Sequence, residues 1–301
     1  MRFCDNCIIP VGFPNYEFVS HNNQLLCNRC FDLMFVPIDK ERLRANWENY
    51  LVELRKKEIT ETNKYHAILF YSGGRDSTAS LYMLVKEFGL KILAFTLDNG
   101  MKGRSVLENI FNVTNYLGID WYLHRHYLVD ELNDMINKGV YPCGKICNVL
   151  QNNYYKSITK QFNIETLVTG YEIAPKNKGI IKKDGYTLVS LPALLNFGRE
   201  KTMEICKYLP WKDFGYFDTE SYMPGMTDCL APCIVIEKKY KNQVMNFDNI
   251  QVGSIEYDLL PYIADRVRFG AADRNKILEV LTKPIKASDL AWSEYMSCVI
   301  K

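Results

Sequence analysis

The chain contains no apolar stretch near the roughly 20 residues of a membrane span, and no secretory signal opens it. Its first residues, Met1-Arg-Phe-Cys-Asp-Asn-Cys7, run straight into a cysteine motif. We therefore expect no membrane association and a cytoplasmic address. Net charge is also nearly missing: 37 basic and 35 acidic side chains leave +2, so a polyanionic partner would have to be held by a local basic patch. Two phosphate-binding signatures are absent. There is no Walker run ending in Gly-Lys-Ser/Thr and no Gly-x-Gly-x-x-Gly fingerprint. The 301 residues, 48% of them apolar, can bury a real core in a main domain with smaller appendages.

One stretch organises the rest. Ala67 to Tyr71 is apolar without alternation, as in a buried parallel strand, and it meets Ser72-Gly73-Gly74. From Ser77 to Phe88 the apolar residues Leu81, Leu84, Val85 and Phe88 recur at helical spacing. A strand, a glycine turn and a helix start make an anion site, because glycines allow close approach and the first helical turn offers unpaired N–H groups. Phosphate is the natural occupant.

Ser72-Gly73-Gly74-Arg75-Asp76-Ser77 resembles the Ser-Gly-Gly-x-Asp-Ser signature of the PP-loop, or N-type ATP pyrophosphatase, superfamily. The resemblance implies that Ser72, Gly73, Gly74, Arg75, Ser77 and Thr78 cradle the pyrophosphate of ATP while a substrate oxygen attacks the α-phosphate. Asp76 would bind Mg²⁺ or brace the loop. Leu90 to Leu97, the amphipathic Gly103 to Leu117, and Trp121 to Leu123 continue an alternation of strand and helix. The fold class expected is α/β, a doubly wound parallel sheet with its ligand beyond the carboxyl ends of the strands, carrying a small N-terminal zinc module. Asp98-Asn99-Gly100 falls at that edge, near the nucleotide in the resemblance. Ile164 to Gly170 is similar to the family's later strand ending in Thr-Gly-His, with Tyr171 in place of the histidine.

Ten cysteines in a cytosolic chain point to metal or thiol chemistry, and eight of them fall in close pairs. Cys4-x2-Cys7 and Cys27-x2-Cys30, 19 residues apart, have the spacing of a four-cysteine zinc site. A closed shell of four thiolates assigns Zn²⁺ a structural role. Cys143-x3-Cys147 precedes a helical pattern from Asn148 to Phe162, and Cys229-x3-Cys233 lies far downstream. This layout resembles enzymes that thiolate tRNA bases through a 4Fe–4S cluster, which implies that Cys143, Cys147 and one of Cys229 or Cys233 hold a cluster with one iron free for sulfide. A second zinc and a persulfide-carrying dithiol stay open, since spacing does not fix the metal. Cys206 and Cys298 stand alone and read as buried small hydrophobes.

The opening Phe3 to Pro10, with Pro14, Phe18, Cys27 and Cys30, also looks like the start of the N-acetyl sugar amidotransferases, as do Leu107-Glu-Asn109 and Leu117-Gly118. That resemblance implies ammonia from a separate glutaminase. His124-Arg-His126 ends the third strand without a carboxylate at fixed spacing, so we assign it a surface or substrate-edge role. Lys176 to Lys183 reads as a solvated loop or a cover over a phosphate-bearing substrate. Arg266, Arg268 and Arg274 read as phosphate contacts or as surface charge.

The expected layout is 1–36 cysteine module, 37–62 linker helix (with Leu43, Trp47, Leu51 and Leu54 facing inward, and Pro37 at one end), 63–235 PP-loop domain and 236–301 C-terminal helical segment. The expected activity is adenylation of a carbonyl oxygen and its replacement by sulfur. The acceptor would be a tRNA base or a small molecule, with sulfide or a donor protein as sulfur source. A homodimer is left open. Nitrogen transfer and a nucleotide-sensing interaction module are the alternatives.

Overall fold

The computed structural model describes residues 2–35, 39–171, 179–216, 229–240, 243–248, 250–268 and 272–300. Pro37, Lys176 to Lys178 and Asp228 lie outside them. The chain divides into two units, one built from residues 1–38, 128–145 and 215–301, the other from 39–127 and 146–214.

The first unit begins with a hairpin of β1 (Phe18–His21) and β2 (Gln24–Cys27), leading into the helix Asn28–Phe35. Helices Ile255–Arg268 and Arg274–Leu281 belong to the same unit. Phe13 stacks on Tyr257 with ring centroids 5.7 Å apart, and Asn15 donates to the Tyr257 hydroxyl at 2.9 Å. Helices Val129–Asn137, Leu230–Tyr240 and Asp289–Val299 pack together, and Glu237 accepts from the backbone of Ala287 and from Trp292 Nε1.

The second unit carries a six-stranded sheet in the order β5-β4-β3-β6-β8-β7. Its strands are β3 (Ala67–Phe70), β4 (Ile92–Asp98), β5 (Trp121–Arg125), β6 (Thr166–Thr169), β7 (Ile180–Lys183) and β8 (Tyr186–Ser190). All neighbours are parallel except β7 with β8. The expected doubly wound sheet is present, with the chain moving outward from β3 to β5 and then returning to the other side of β3 as β6. That reversal is the topological switch point, where open α/β sheets bind ligands.

Periodicity explains the two faces. Ile68, Leu93, Phe95, Leu167 and Leu188 turn toward Tyr155 and Ile158 of helix Asn148–Phe162, forming one buried core. Each such side chain contributes about 1.5–3 kcal/mol on burial. The helix Lys40–Arg55 is capped by Asp39, which accepts from the Arg42 N–H at 2.8 Å, and it buries Leu43, Trp47, Leu51 and Leu54 as expected. It packs within the second unit: Trp47 meets Phe88, and Tyr50 hydrogen-bonds Thr166.

Two readings of the chain change. The helix after the loop spans Arg75–Tyr82 and then widens into a π-helical turn, Met83–Glu87. Ile180 to Lys183, expected as loop, is a strand closed onto β8 through Asp184-Gly185, with Gly185 at φ +85°. The Asp-Gly pair carries that turn, since glycine meets positive φ without steric cost. No helix among the described residues is long and apolar enough to cross a membrane.

Candidate active site

β3 delivers the chain to Ser72 at the switch point, and the backbone there is shaped by two glycines. Gly73 sits at φ +85°, and a Cβ on it would stand 2.7 Å from Ile110 and 2.9 Å from Val106 of helix Arg104–Leu117. Gly170, directly after β6, brings its Cα against the first turn of helix Arg75–Tyr82; a Cβ there would stand 2.6 Å from the Ser77 nitrogen. That helix is N-capped by Gly74, which has no side chain to satisfy the first-turn donors. Backbone N–H groups and the positive helix end are the features an anion could meet here.

Side chains brace the loop. Ser72 Oγ accepts from Gly74 N–H at 3.2 Å and lies 3.0 Å from Ser77 Oγ. Thr78 Oγ1 meets the Tyr71 hydroxyl at 3.1 Å. Asp76 Oδ1 accepts from Arg75 Nε at 2.6 Å, and the Arg75 side chain is only 6% exposed. Bracing is therefore the role the geometry gives Asp76. Two residues missed in the sequence complete the cradle: Lys102 Nζ donates to Ser72 O at 3.1 Å and Trp211 Nε1 to Gly73 O at 2.9 Å. Asn109 holds the adjoining segment through both polar atoms, donating to Lys212 O and accepting from Lys212 N–H. Cys206, buried as expected, donates to Arg75 O, and burial pushes its thiol up to about 12.

Asp98 lies at the same edge. Its Oδ1 accepts from Gly100 N–H at 2.9 Å and its Oδ2 from Arg125 Nε at 3.2 Å, so it shapes the turn after β4. Asn99 Oδ1 accepts from Met101 N–H, and Asn99 Nδ2 reaches Cys147 Sγ at 3.5 Å. Cys147 thus stands beside the carboxyl edge of the sheet. Cys143, Cys229 and Cys233 belong to the other unit. There Cys143 and Cys233 both act on the phenol of Tyr141, which burial pushes well above its ordinary value. Cys298 is only partly buried, unlike the buried position expected of it.

Cys4, Cys7, Cys27 and Cys30 are fully buried, and their sulfurs all lie within 4.8 Å of one another. Cys7 and Cys27 Sγ are 3.7 Å apart. A tetrahedral ion with metal–sulfur bonds of about 2.3 Å requires sulfurs about 3.8 Å apart, so the set fits a metal such as zinc. Such close sulfurs split into donors and acceptors: mutual hydrogen bonds hold Cys4 far below the thiol range and draw Cys27 down to about 6, while pushing Cys7 and Cys30 up. Arg268, expected as a phosphate contact or surface charge, instead donates to Cys30, Cys7 and Cys27 Sγ at 3.2, 3.3 and 3.4 Å with its side chain fully buried. Burial opposes its charge, and the neighbouring sulfurs of Cys7, Cys30 and Cys27 favour it. Arg274 donates to the carbonyls of Cys7 and Cys4. Arg266 is 4% exposed and is not surface charge either.

The arrangement defines an α/β protein with a glycine-shaped turn at its switch point and a buried four-cysteine cluster that could hold a metal ion. No family model matches the chain. It is 26% identical over 271 residues to the uncharacterized protein MJ1599 of Methanocaldococcus jannaschii, covering 89% of each chain. The solved structure of phosphoadenylyl-sulfate (PAPS) reductase from Candida auris, a phosphate complex, aligns with 61% of this chain and 88% of that one at a TM-score of 0.37 and 11% identity.

Proposed function

We propose that the chain is an ATP-dependent adenylating transferase that replaces a carbonyl oxygen with sulfur, releasing AMP and pyrophosphate. The observation that carries the reading is the Ser72-Gly73-Gly74 turn at the switch point, where Gly74 starts a helix with no side-chain cap and Gly170 packs directly on Ser77. Oxide is a poor leaving group, whereas AMP departs readily once a nucleophile has added to the activated carbon. Loop N–H groups and Lys102 would hold the phosphates in place and stabilise charge as the α-phosphate is attacked. Mg²⁺ would neutralise the departing pyrophosphate.

Sulfur is favoured over nitrogen by Cys147, whose thiol lies within reach of Asn99 at the same sheet edge. Ammonia needs no thiol there. Cys143, Cys147 and one or both of Cys229 and Cys233 would hold a 4Fe–4S cluster or a second metal, or carry persulfide received by exchange from a donor protein's persulfide; a cluster would present sulfide on its free iron. Zinc on Cys4, Cys7, Cys27 and Cys30 would be structural. The acceptor would be a tRNA base or a small molecule, and sulfide or a donor protein the sulfur source. The test is pyrophosphate release from ATP under turnover, with an unmodified tRNA or small-molecule acceptor present and sulfide or ammonia as nucleophile. Sulfide-dependent release supports this reading. Release with ammonia alone transfers the assignment to amide-forming chemistry, and no release with either leaves a nucleotide-sensing module.

A further inference from the structure

His124 and His126 were set aside for want of a partner at fixed sequence spacing, and the fold supplies one 30 residues downstream. The Tyr154 hydroxyl, on helix Asn148–Phe162, lies 2.6 Å from His124 Nε2 and 3.1 Å from His126 Nδ1. The His124 ring packs against the Tyr154 ring with centroids 4.6 Å apart. His126 is held in register because its N–H donates to Asp98 O at 2.8 Å. Arg125, between them in sequence, turns to the opposite face and pairs with Asp98. All three rings are half-buried, neither sealed in the core nor free in solvent.

One phenol carries one proton. It can donate to only one imidazole at a time, and the other must then donate to its oxygen, so the tautomers of the two histidines are linked through it. A proton taken up at the outer nitrogen of one ring can pass across Tyr154 and leave from the outer nitrogen of the other. The cluster lies at the carboxyl edge of β5, two strands from the loop after β3, about 10 Å at the usual strand spacing. Helix Asn148–Phe162 runs past both places: Gln151 Nε2 donates at 3.0 Å to Tyr171, which follows Gly170, and Tyr154 stands one turn further along the same helix.

We infer that His124, Tyr154 and His126 form the proton relay of the acceptor subsite, taking the N–H proton of an acceptor whose carbonyl is being adenylated. The inference rests on the adenylation reading above. As the carbonyl oxygen forms its bond to the α-phosphorus, the bond from that phosphorus to the β-bridging oxygen breaks and its electron pair leaves with pyrophosphate. The nitrogen beside the carbonyl forms a double bond to carbon, and its proton passes to the outer nitrogen of one histidine. A carboxylate acceptor would have no such proton to give, so the subsite suits an N–H beside a carbonyl, as in a base lactam or an N-acyl group.

Tyr154→Phe keeps the ring and removes only the hydroxyl, and His126→Gln is the second variant. Full-length protein, supplied with sulfide and ammonia as nucleophiles, is assayed for AMP formation with unmodified tRNA transcripts and, separately, with UDP-N-acetylglucosamine, alongside binding of a fluorescent ATP analogue and the melting temperature. We expect a loss of about 100-fold or more in acceptor-stimulated AMP formation, the range of general acid–base catalysis, with nucleotide binding and melting temperature unchanged. Wild-type AMP formation by Tyr154→Phe overturns the relay. NMR of the imidazole nitrogens decides it independently of any acceptor: Tyr154→Phe should change the tautomer signals of both histidines together, and unchanged signals overturn the inference. If wild type forms no AMP with either acceptor while Tyr154→Phe alters both signals, the adenylation reading fails and the shared proton stands.

Discussion

The Cα of Gly170 lies so close to Ser77 that a methyl group on it would stand 2.6 Å from the Ser77 nitrogen. The obstacle is backbone, which cannot swing aside as a side chain would. Gly170→Ala should cost about 1–3 kcal/mol, as overpacking does, and displace the first turn of helix Arg75–Tyr82. We expect ATP affinity to fall at least tenfold by calorimetry. An unchanged affinity would show that this turn does not touch the nucleotide.

Asp76→Ala removes the carboxylate paired with Arg75, whose side chain is 6% exposed. Because that guanidinium is buried, both loss of pyrophosphate release and a lower melting temperature are expected, approaching the roughly 3–5 kcal/mol of a broken buried pair but reduced because Asp76 is 16% exposed. Ser72→Ala, which removes one acceptor for Gly74 N–H, should abolish release with little change in melting. The contrast between the two melting curves is the check.

Arg268→Met should weaken metal retention about 10–100-fold, the usual penalty for losing a partner of the ligating atoms. Release of zinc to a chromogenic chelator measures it, and wild-type release would dismiss the guanidinium as a charge partner of the thiolates. Cys4→Ser removes a ligand outright. It should lose the ion and melt lower, and full zinc content with unchanged melting would rule out the structural role.

Cys206 should resist alkylation in the folded protein, since burial holds its thiol up to about 12 against an ordinary 9.0. The folded state keeps this proton longer than the unfolded one. Its contribution to stability is therefore complete below pH 9.0 and lost as pH rises toward 12. Iodoacetamide mass mapping at pH 8, with melting curves across the alkaline range, tests both; ready labelling of the native protein would contradict the burial.

Cys147→Ala should abolish sulfur incorporation while ATP still binds, and Asn99→Ala should lower it by moving the thiol rather than removing it. Wild-type turnover by Cys147→Ala with ammonia as sole nucleophile would move the assignment to nitrogen transfer.

The sheet was legible because unalternating apolar runs such as Ala67 to Tyr71 can only be buried strands once glycine turns and amphipathic helices follow them. Helix Asn148–Phe162 matched its pattern at both ends, where Asn163 takes a left-handed conformation. Long-range partners were not legible. Trp211 reaches Gly73 across 138 residues and Tyr154 reaches His124 across 30, and no local periodicity marks such pairs. The arginines were misread for the same reason: a guanidinium in sequence carries no sign of whether it will meet solvent, phosphate or sulfur. The Asp184-Gly185 turn was different, since the dipeptide itself was in view.

Arg268 and Cys30 are separated by 238 residues, yet one completes the charge balance of the other. At about 5–20 residues per second of synthesis, the four cysteines leave the ribosome on the order of ten to fifty seconds before that arginine exists. During this interval any ion taken up by the nascent module would sit among thiolates uncompensated by Arg268. Metal supply and thiol protection would then matter most to the unfinished chain, and completing the helix that carries Arg268 would seal such an ion in place.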